Sequence, residues 1–391
     1  MAFKITRRNW LRSSAMIAAG SVIPIQSWAN GITLPEGTSP TGEIEPDLNS
    51  FSDFDNPNGL RIRLNANENA YGPSDKAKMA LREVIDTSFR YPFAETKELK
   101  SMIAEKFGLT SEHVALGGGS TEILTMAGMA FGLQNGSVIS AFPTFRTLLD
   151  TARRFDCEWI QVPLDENFTH DLAAIADAIQ PNTRLIYICN PNNPTGTLLS
   201  PDDLQKFCIE TATRVPVFID EAYTEFLDDP QKNSVIPLIH DGHDIIVAKT
   251  FSKIYGMAGL RVGYALGSPE RIKQLEKYGV SLSIISKTSV EAAKACFGDT
   301  GFEIFCKKKN KEARDYTYQA INEAGYSMYI PSHASFIMFP INMEGKTFLT
   351  KMEKRGVGVR AWQFNDRYWC RVSMGTLEDM KGFGEILKEI S

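Results

Sequence analysis

The residues most suited to chemistry lie in a short glycine-rich segment, residues 250–263, which follows an apolar strand-like run. Lys253 stands there among small hydroxyl and glycine residues, and Arg261 follows eight positions later. A strand end, a tight loop and neighbouring cations would lower the pKa of this lysine and favour the free amine, which can attack a carbonyl to form a Schiff base. Thr250, Ser252 and Arg261 are residue types that bind a phosphate. The alternative interpretation is an ordinary surface lysine in a turn.

A second glycine-rich turn lies upstream, after an apolar run that ends at Leu116. The pattern predicts a strand, a glycine loop and a helix start, with Ser120 or Thr121 capping the helix. Backbone N–H groups at a helix start form an anion site. Gly119, Ser120 and Thr121 therefore form a candidate phosphate loop, although a tight connection without a ligand would give the same pattern.

Several further side chains follow predicted strands. Phe145 comes just after a strand that Pro143 ends, where its ring can stack on a flat cofactor or pack in the core. Asn193 lies in a polar, turn-rich run after the next buried strand. Asp220 and Tyr223 come at the end of another strand. An acid in that place either caps a helix or pairs with a protonated ring nitrogen.

Strands alternate with helical stretches across the middle of the chain, which predicts an α/β fold with a parallel sheet. In such folds the site lies at the carboxyl ends of the strands, where Asn193, Asp220 and Lys253 fall. A strand at residues 264–266 is expected at the edge of this sheet. From about Ser289 the pattern changes to an amphipathic helix and short strands, which predicts a smaller C-terminal domain.

The first 29 residues have the features of a targeting segment. Arg7 and Arg8 precede an apolar run, and residues 27–29 offer a small-x-small cleavage site. This resembles a bacterial twin-arginine signal, which implies that the export machinery of that route is a partner and that the protein is periplasmic or otherwise exported. The alternatives are a chance basic N-terminus and an uncleaved anchor, although the apolar run is too short for a comfortable membrane span.

Residues 30–58 are rich in Pro, Gly, Thr, Ser and acidic residues and are predicted to form a linker or extended arm. The net charge of −5 and the hydrophobic content of 43% are typical of a soluble globular protein, and no basic stripe suggests nucleic acid as a partner. The six cysteines lack metal-ligand spacing, and Cys157, Cys189 and Cys370, which lie in apolar strand-like runs, are expected to be buried small hydrophobes. The five histidines are scattered, so no metal site is predicted.

Taken in order, these motifs resemble the fold-type I, pyridoxal-phosphate-dependent aminotransferases of class I and II. The motifs that carry the resemblance are Asn193-Pro194-Thr195-Gly196, Asp220-x-x-Tyr223, and Ser252-Lys253 with Arg261. The similarity is greatest to the histidinol-phosphate aminotransferases, whose opening segments resemble residues 64–69 and 91–92 and whose closing segment resembles residues 371–376. It runs from about residue 60 to the end of the chain.

The resemblance implies pyridoxal 5′-phosphate as the cofactor and a large domain with a mostly parallel, seven-stranded sheet. It also implies a smaller α+β domain. With the sequence pattern, it places the N-terminal part of the small domain at residues 59–94, the large domain at 95–288 and the C-terminal small domain at 289–391.

Individual residues acquire expected roles from this resemblance. Lys253 would hold the cofactor and move the substrate proton as a general acid–base. Asp220 would pair with the ring nitrogen and keep it protonated. Tyr223 and Asn193 would hydrogen-bond the phenolic oxygen of the ring, and Phe145 would stack on it.

The remaining roles concern the two ends of the site. The cofactor phosphate would lie among Gly119, Ser120, Thr121, Thr250, Ser252 and Arg261. A tyrosine that matches Tyr91 reaches this phosphate from the second subunit in the family, so a homodimer is implied. Arg371, Arg360 and Asn67 would bind the substrate. The stretch between the two arginines, residues 361–369, is aromatic and departs from the histidinol-phosphate pattern, so we expect it to shape a pocket for the side chain of a free amino acid.

The predicted activity is transamination between an amino acid, or a histidinol-phosphate-like amine, and a 2-oxo acid by a ping-pong route. The same scaffold hosts racemases, lyases, decarboxylases and oxidases, which are the alternative reactions. A non-catalytic protein that binds pyridoxal phosphate is disfavoured because every catalytic position is filled.

Overall fold

The structure is a computed structural model that describes residues 43–44, 61–280 and 285–391. The targeting segment predicted at residues 1–29 and most of the arm predicted at 30–58 lie outside the described residues. The described strands are β1 (Glu43–Ile44), β2 (Ile62–Arg63), β3 (Val114–Gly117), β4 (Ser137–Phe142), β5 (Glu158–Pro163), β6 (Thr183–Cys189), β7 (Val217–Asp220), β8 (Ile245–Thr250), β9 (Gly263–Leu266), β10 (Phe336–Ile341), β11 (Val357–Gly358), β12 (Arg360–Phe364) and β13 (Arg367–Ser373).

The described α-helices connect and cover these strands. They are α1 (Asp75–Val84), α2 (Phe93–Lys106), α3 (Ser120–Gly132), α4 (Thr147–Arg153), α5 (Leu172–Asp177), α6 (Pro201–Thr211), α7 (Pro237–His240), α8 (Pro269–Glu276), α9 (Lys287–Cys296), α10 (Thr300–Glu323), α11 (Gly345–Glu353) and α12 (Leu377–Ile390). None of the helices in the described ranges is long and apolar enough to span a membrane.

The large sheet has seven strands in the order β3-β9-β8-β7-β6-β4-β5, and all neighbours are parallel except for the two pairs that β9 makes. The predicted mostly parallel seven-stranded sheet is therefore confirmed. Its central strands are buried on both faces: Val247 of β8 packs on one side of the sheet, and Ile246 and Ala248 pack on the other. Apolar residues on both faces are typical of a sheet that helices cover on each side.

One expectation about this sheet is wrong. The strand at residues 264–266 was expected at an edge, but β9 lies between β3 and β8 and is antiparallel to both. Ala265 pairs with Ala115 on one side and with Ala248 on the other. The edges are β3 and β5. Every residue of β9 is buried, but so is every residue of the edge strand β3, so burial does not reveal which strand is interior.

Two smaller sheets involve the ends of the described chain. β1, β12, β13 and β10 form an antiparallel sheet, and β11 pairs with β2. The arm predicted at residues 30–58 thus contributes β1, which pairs with β12. β12 and β13 form a hairpin whose two turn residues, Asn365 and Asp366, have φ angles of 50° and 54°. Asn and Asp tolerate this left-handed backbone, so the hairpin closes with two residues.

The packing of α1 and α9 bears on where the domains divide. These helices pack against each other, and Ala77 and Val290 belong to the same hydrophobic cluster as the large sheet. A separate cluster, which includes Leu64, Ile337 and Phe383, forms the core beneath the smaller sheet. The division at residues 59–94, 95–288 and 289–391 stays a prediction.

Candidate active site

A cavity of about 600 Å³ opens at the carboxyl ends of β6, β7 and β8. Twelve of the fifteen residues predicted for the site line it: Asn67, Ser120, Thr121, Phe145, Asn193, Asp220, Tyr223, Ser252, Lys253, Arg261, Arg360 and Arg371. Gly119, Thr250 and Tyr91 do not line it. The chain thus brings most of the predicted residues to one place, while their individual roles stay predictions.

Lys253 follows β8, and its amine faces the cavity from a buried position. Its Nζ donates a hydrogen bond to the backbone oxygen of Asn67 at 2.7 Å and lies 5.6 Å from the centre of the Tyr223 ring. Burial, and after it the charge of Arg371, lower the pKa of Lys253 to about 8. A lysine with this pKa is largely a free amine in mildly basic solution, which suits nucleophilic attack on a carbonyl.

Asp220 ends β7 and is only 2% exposed. Tyr187 Oη and Ala222 N each donate a hydrogen bond to its carboxylate at 3.2 Å. Burial raises the pKa of Asp220 to about 6. A cation placed against this carboxylate would hold it ionised, so the site fits a protonated ring nitrogen. The contact of Tyr187 with Asp220 was not predicted from the sequence.

The phosphate loop is built around Gly119 and Arg261. Gly119 precedes α3 with a φ angle of 85°, and a Cβ atom there would overlap the guanidinium of Arg261. Arg261 Nη2 lies 3.4 Å from Thr121 Oγ1, and Arg261 Nη1 lies 3.5 Å from Ser252 Oγ. A guanidinium, two hydroxyls and the free N–H groups of a helix start form a cradle that fits a phosphate.

Two details of this loop differ from expectation. Ser120 and Thr121 do not cap α3; they are its first residues, and Gly119 is the N-cap without a side-chain hydrogen bond. Two features explain why glycine occupies the cap: its φ angle is positive, and a side chain there would overlap Arg261. Thr250 is buried behind the wall of the cavity, where its Oγ1 accepts a hydrogen bond from Ser252 N at 3.1 Å. Thr250 therefore shapes the loop without facing the cavity.

The opposite end of the cavity carries the predicted substrate residues. Arg371 Nη1 donates to Asn193 Oδ1 at 2.8 Å, and Arg360 Nε donates to the backbone oxygen of Asn65 at 3.0 Å. Arg371 lies in β13, directly opposite Arg360 in β12. Pairing across the hairpin thus places two guanidinium groups at the same end of the site, where they suit an anionic substrate.

Asn67 was predicted to bind substrate, but both polar atoms of its side chain are already engaged by the protein. Its Nδ2 donates to Tyr223 Oη at 2.8 Å, and its Oδ1 accepts from Ser373 Oγ at 2.7 Å. These contacts fix Asn67 and orient the Tyr223 hydroxyl. Burial also raises the pKa of Tyr223, so the hydroxyl remains a hydrogen-bond donor.

A buried ion cluster behind the site was missed at the level of sequence. Lys249 Nζ lies 3.0 Å from Glu221 Oε2 and 2.8 Å from Glu225 Oε1. Ser234 Oγ and Val235 N donate to the Glu221 carboxylate. Burial disfavours the charge of Lys249, but the two carboxylates together raise its pKa. A lysine inside an otherwise apolar strand, residues 245–250, was the sequence signal for such a cluster.

Other lining residues were also missed, namely Asn65, Glu68, Thr144, Arg146, Thr147 and Asp150. The signal for Arg146 and Asp150 was a charged pair, four residues apart, directly after a strand end that already held Phe145. Of the aromatic stretch at residues 361–369, Trp362 lines the cavity. Phe364 and Trp369 stack on each other, with ring centres 4.8 Å apart, and pack under the hairpin.

Fold and site together define a fold-type I transferase of the pyridoxal-phosphate type. Residues 61–387 match the family described as aminotransferase class I and II. The chain is 35% identical over 331 residues to histidinol-phosphate aminotransferase from Moorella thermoacetica, an alignment that covers 84% of this chain and 85% of that one. The corresponding enzyme from Brevibacillus brevis is 34% identical over 330 residues, covering 84% and 90%.

The solved structures agree with this assignment at the level of the fold. Histidinol-phosphate aminotransferase from Sinorhizobium meliloti, determined in complex with pyridoxal-5′-phosphate, superposes with a TM-score of 0.77 at 22% identity and covers 85% of this chain and 92% of that chain. The chain belongs to the aminotransferase class I and II family. It is an aminotransferase, and pyridoxal phosphate is the cofactor that its phosphate cradle, buried carboxylate and free amine fit.

We expect covalent capture of pyridoxal phosphate by the cofactor-free enzyme to depend on the pKa of Lys253. The capture rate should rise roughly tenfold per pH unit below pH 8 and level off above it, because only the neutral amine attacks the carbonyl. Stopped-flow absorbance measures this rate. Lys253→Ala should lose turnover and the borohydride-reducible adduct, whereas Lys277→Ala, at an exposed lysine, should lose neither. An adduct that survives in Lys253→Ala would contradict the assignment.

Proposed function

We propose that this aminotransferase acts on a free amino acid in preference to histidinol phosphate. The main support is Trp362, because the two-residue hairpin puts an indole on the cavity wall at the substrate end. Arg371 gives the amino acid's α-carboxylate a partner, and Asn193 orients this guanidinium. The competing proposal is histidinol phosphate itself, which rests on the names of relatives at 35% and 34% identity.

The residues of the chain divide the work of the reaction. Pyridoxal phosphate, when bound, supplies the carbonyl that takes the amino group and a ring that accepts electrons. Lys253 would hold the cofactor, and its amine would then move the proton between the substrate Cα and C4′ of the cofactor. This role suits a pKa near 8, since a general base works best when its pKa is close to the working pH.

The other residues hold the reacting groups in place. Asp220, ionised beside a ring nitrogen, would keep that nitrogen protonated, while Tyr223, held by Asn67, would donate to the ring oxygen. Arg261, Ser252 and the start of α3 would bind the phosphate. Such fixed contacts lower the entropic cost of bringing the substrate Cα close to the Lys253 amine.

The substrate proposal predicts a large effect of Arg371→Ala. Loss of the charged partner of the α-carboxylate typically costs about 2–5 kcal/mol, so kcat/KM for amino acids should fall roughly 30-fold or more. Arg355→Ala, which removes a surface arginine paired with Glu389, is the control and should change little. Steady-state kinetics on wild-type enzyme should also show that free amino acids exceed histidinol phosphate in kcat/KM. A higher value for histidinol phosphate would reject the proposal.

We also propose a homodimer with shared active sites. Tyr91 is 74% exposed and does not line the cavity of its own chain. Ile85, Phe89 and Phe93 nearby are also exposed, at 61%, 77% and 57%. An exposed apolar surface of this kind is typical of a protein interface. In the family, the tyrosine that matches Tyr91 reaches the cofactor phosphate of the second subunit.

The proposed homodimer predicts that Tyr91 contributes to cofactor binding in the other subunit. Sedimentation should show a dimer, and Tyr91→Phe should keep it while weakening cofactor affinity roughly tenfold, the usual effect of losing a hydrogen bond to a charged group. Tyr368→Phe, on the hairpin and outside the cavity wall, serves as the matched control. A monomer in solution, or unchanged cofactor affinity in Tyr91→Phe, would remove the shared site.

We further propose that residues 1–29 act as a twin-arginine export signal and that the mature protein starts near Asn30 in the periplasm. The support is the Arg7-Arg8 pair and the apolar run that follows it. Changing both arginines to lysine should retain the protein in the cytoplasm, as measured by cell fractionation. Arg12→Lys, which leaves the pair intact, should not. Unchanged export of the double variant would disprove the signal.

A further inference from the structure

Arg146 precedes α4, directly after Phe145, and lines the active-site cavity. Its residue exposure is 9%, and its Nη2 donates to Asp150 Oδ1 at 2.6 Å. Its Nε and Nη1 are buried, and within the described residues no acceptor lies in hydrogen-bond range of either. The guanidinium lies 5.7 Å from the centre of the Trp159 ring, which offers no oxygen acceptor. Buried donors without acceptors are costly, so this arginine is poised for an acceptor that comes from outside the protein.

Trp362 shows the same property on the same cavity. It is 4% exposed, and its Nε1 is buried without an acceptor in the described part of the chain. Its partner across the hairpin, Trp369, donates its own Nε1 to the backbone oxygen of Phe364 at 3.1 Å. Trp362 and Trp369 belong to the same buried cluster, but of these two only Trp362 also lines the cavity, and its N–H is the one without an acceptor.

The other three arginines that line the cavity are engaged elsewhere. Arg360 Nε donates to the backbone oxygen of Asn65 at 3.0 Å and lies opposite Arg371 across the hairpin. Arg261 belongs to the phosphate cradle, where it lies beside Ser252 and Thr121. Arg371 is held by Asn193 for the α-carboxylate of the substrate. Arg146 stands outside both groups, next to Phe145, so it suits the part of a substrate that extends beyond its reacting carbon.

Asp150 is a weak partner for Arg146. The Asp150 side chain is 38% exposed, and the two residues lie four positions apart across the start of α4. Pairs of this kind contribute little because water screens them. A carboxylate from a bound substrate can therefore join or replace Asp150 on the guanidinium, which binds carboxylates with two parallel N–H bonds.

We propose that Arg146 is a specificity-determining residue that binds a carboxylate on the side chain of the substrate, with Trp362 Nε1 donating to the same group. The inference rests on the proposed preference for free amino acids and narrows it to dicarboxylic amino acids and their 2-oxo acids. Asp150 holds the guanidinium when the substrate is absent and competes with the substrate for it.

The test compares each acidic amino acid with its own amide on the holoenzyme. Single-turnover absorbance changes give kcat/KM for glutamate against glutamine and for aspartate against asparagine, pairs that differ in charge but hardly in shape. Wild type should favour each acid roughly tenfold or more. Arg146→Gln should lower kcat/KM for the acids roughly 30-fold or more, mostly through KM, and should change the amides less than about threefold.

Three further variants separate binding from a merely structural role. Arg146→Lys keeps the charge and should recover part of the preference for acids. Asp150→Asn removes the competitor and should lower KM for the acids, whereas loss of a structural ion pair would impair acids and amides alike. Arg153→Gln, which changes an exposed arginine on the same helix, should match wild type. Trp362→Phe keeps an aromatic ring but removes the N–H donor, so it should reduce the preference for acids over amides by a few-fold.

The outcomes test the proposed function and the role of Arg146 separately. If histidinol phosphate exceeds all amino acids in wild type, the proposed function fails. If a free amino acid is preferred but amides equal acids, or if Arg146→Gln lowers both alike, the role of Arg146 fails while the proposed function stands. Should Arg146→Gln not fold, as judged by thermal melting, the ratio of acid to amide in wild type and in Asp150→Asn gives the same decision.

Discussion

A buried ion cluster links the two strand ends that carry Asp220 and Lys253. Lys249 lies between Glu221 and Glu225 at 3.0 and 2.8 Å, on strand ends that also carry the site. Glu221 directly follows Asp220, and Lys249 directly precedes Thr250. Because removal of one partner from a buried pair typically costs about 3–5 kcal/mol, the cluster strongly constrains the carboxyl ends of β7 and β8 relative to each other. The same constraint therefore helps to position Asp220, which ends β7, and Lys253, which follows β8.

Burial also shifts the pKa values of the two ionisable groups at the centre of the site, Asp220 and Lys253. Desolvation disfavours charge, so it raises the pKa of Asp220 to about 6 and lowers that of Lys253 to about 8. The two shifts have opposite directions and the same largest cause, to which the charge of Arg371 adds in the case of Lys253. An incoming cation restores the charge of Asp220, whereas Lys253 keeps its amine available, so burial prepares both an ion-pair acceptor and a nucleophile.

Most of the site residues could be predicted from local motifs, because catalytic residues at strand ends lie in short, recognisable sequences. Lys253, Asp220, Asn193 and Arg261 could be found in this way, as could the parallel sheet. Long-range partners could not: Arg371 and Asn193 are 178 residues apart, and only the fold shows that they touch. The place of β9 inside the sheet failed for the same reason, since a short apolar strand does not reveal its neighbours. The prediction of the α3 cap was wrong because the cap position has no room for a side chain. The guanidinium that fills this space belongs to Arg261, 142 positions downstream of Gly119.

The substrate selection that we propose depends on two elements outside the group of residues assigned to the cofactor. The hairpin of β12 and β13 brings Trp362, Arg360 and Arg371 to the cavity, and the start of α4 brings Arg146. Both elements contribute buried side chains to the cavity wall and are separate from the ion cluster and Lys253, so changes in them would alter what is bound without removing those groups. The two-residue turn at Asn365 and Asp366 fixes the register of β12 against β13, and this register determines which face of the aromatic strand points to the substrate.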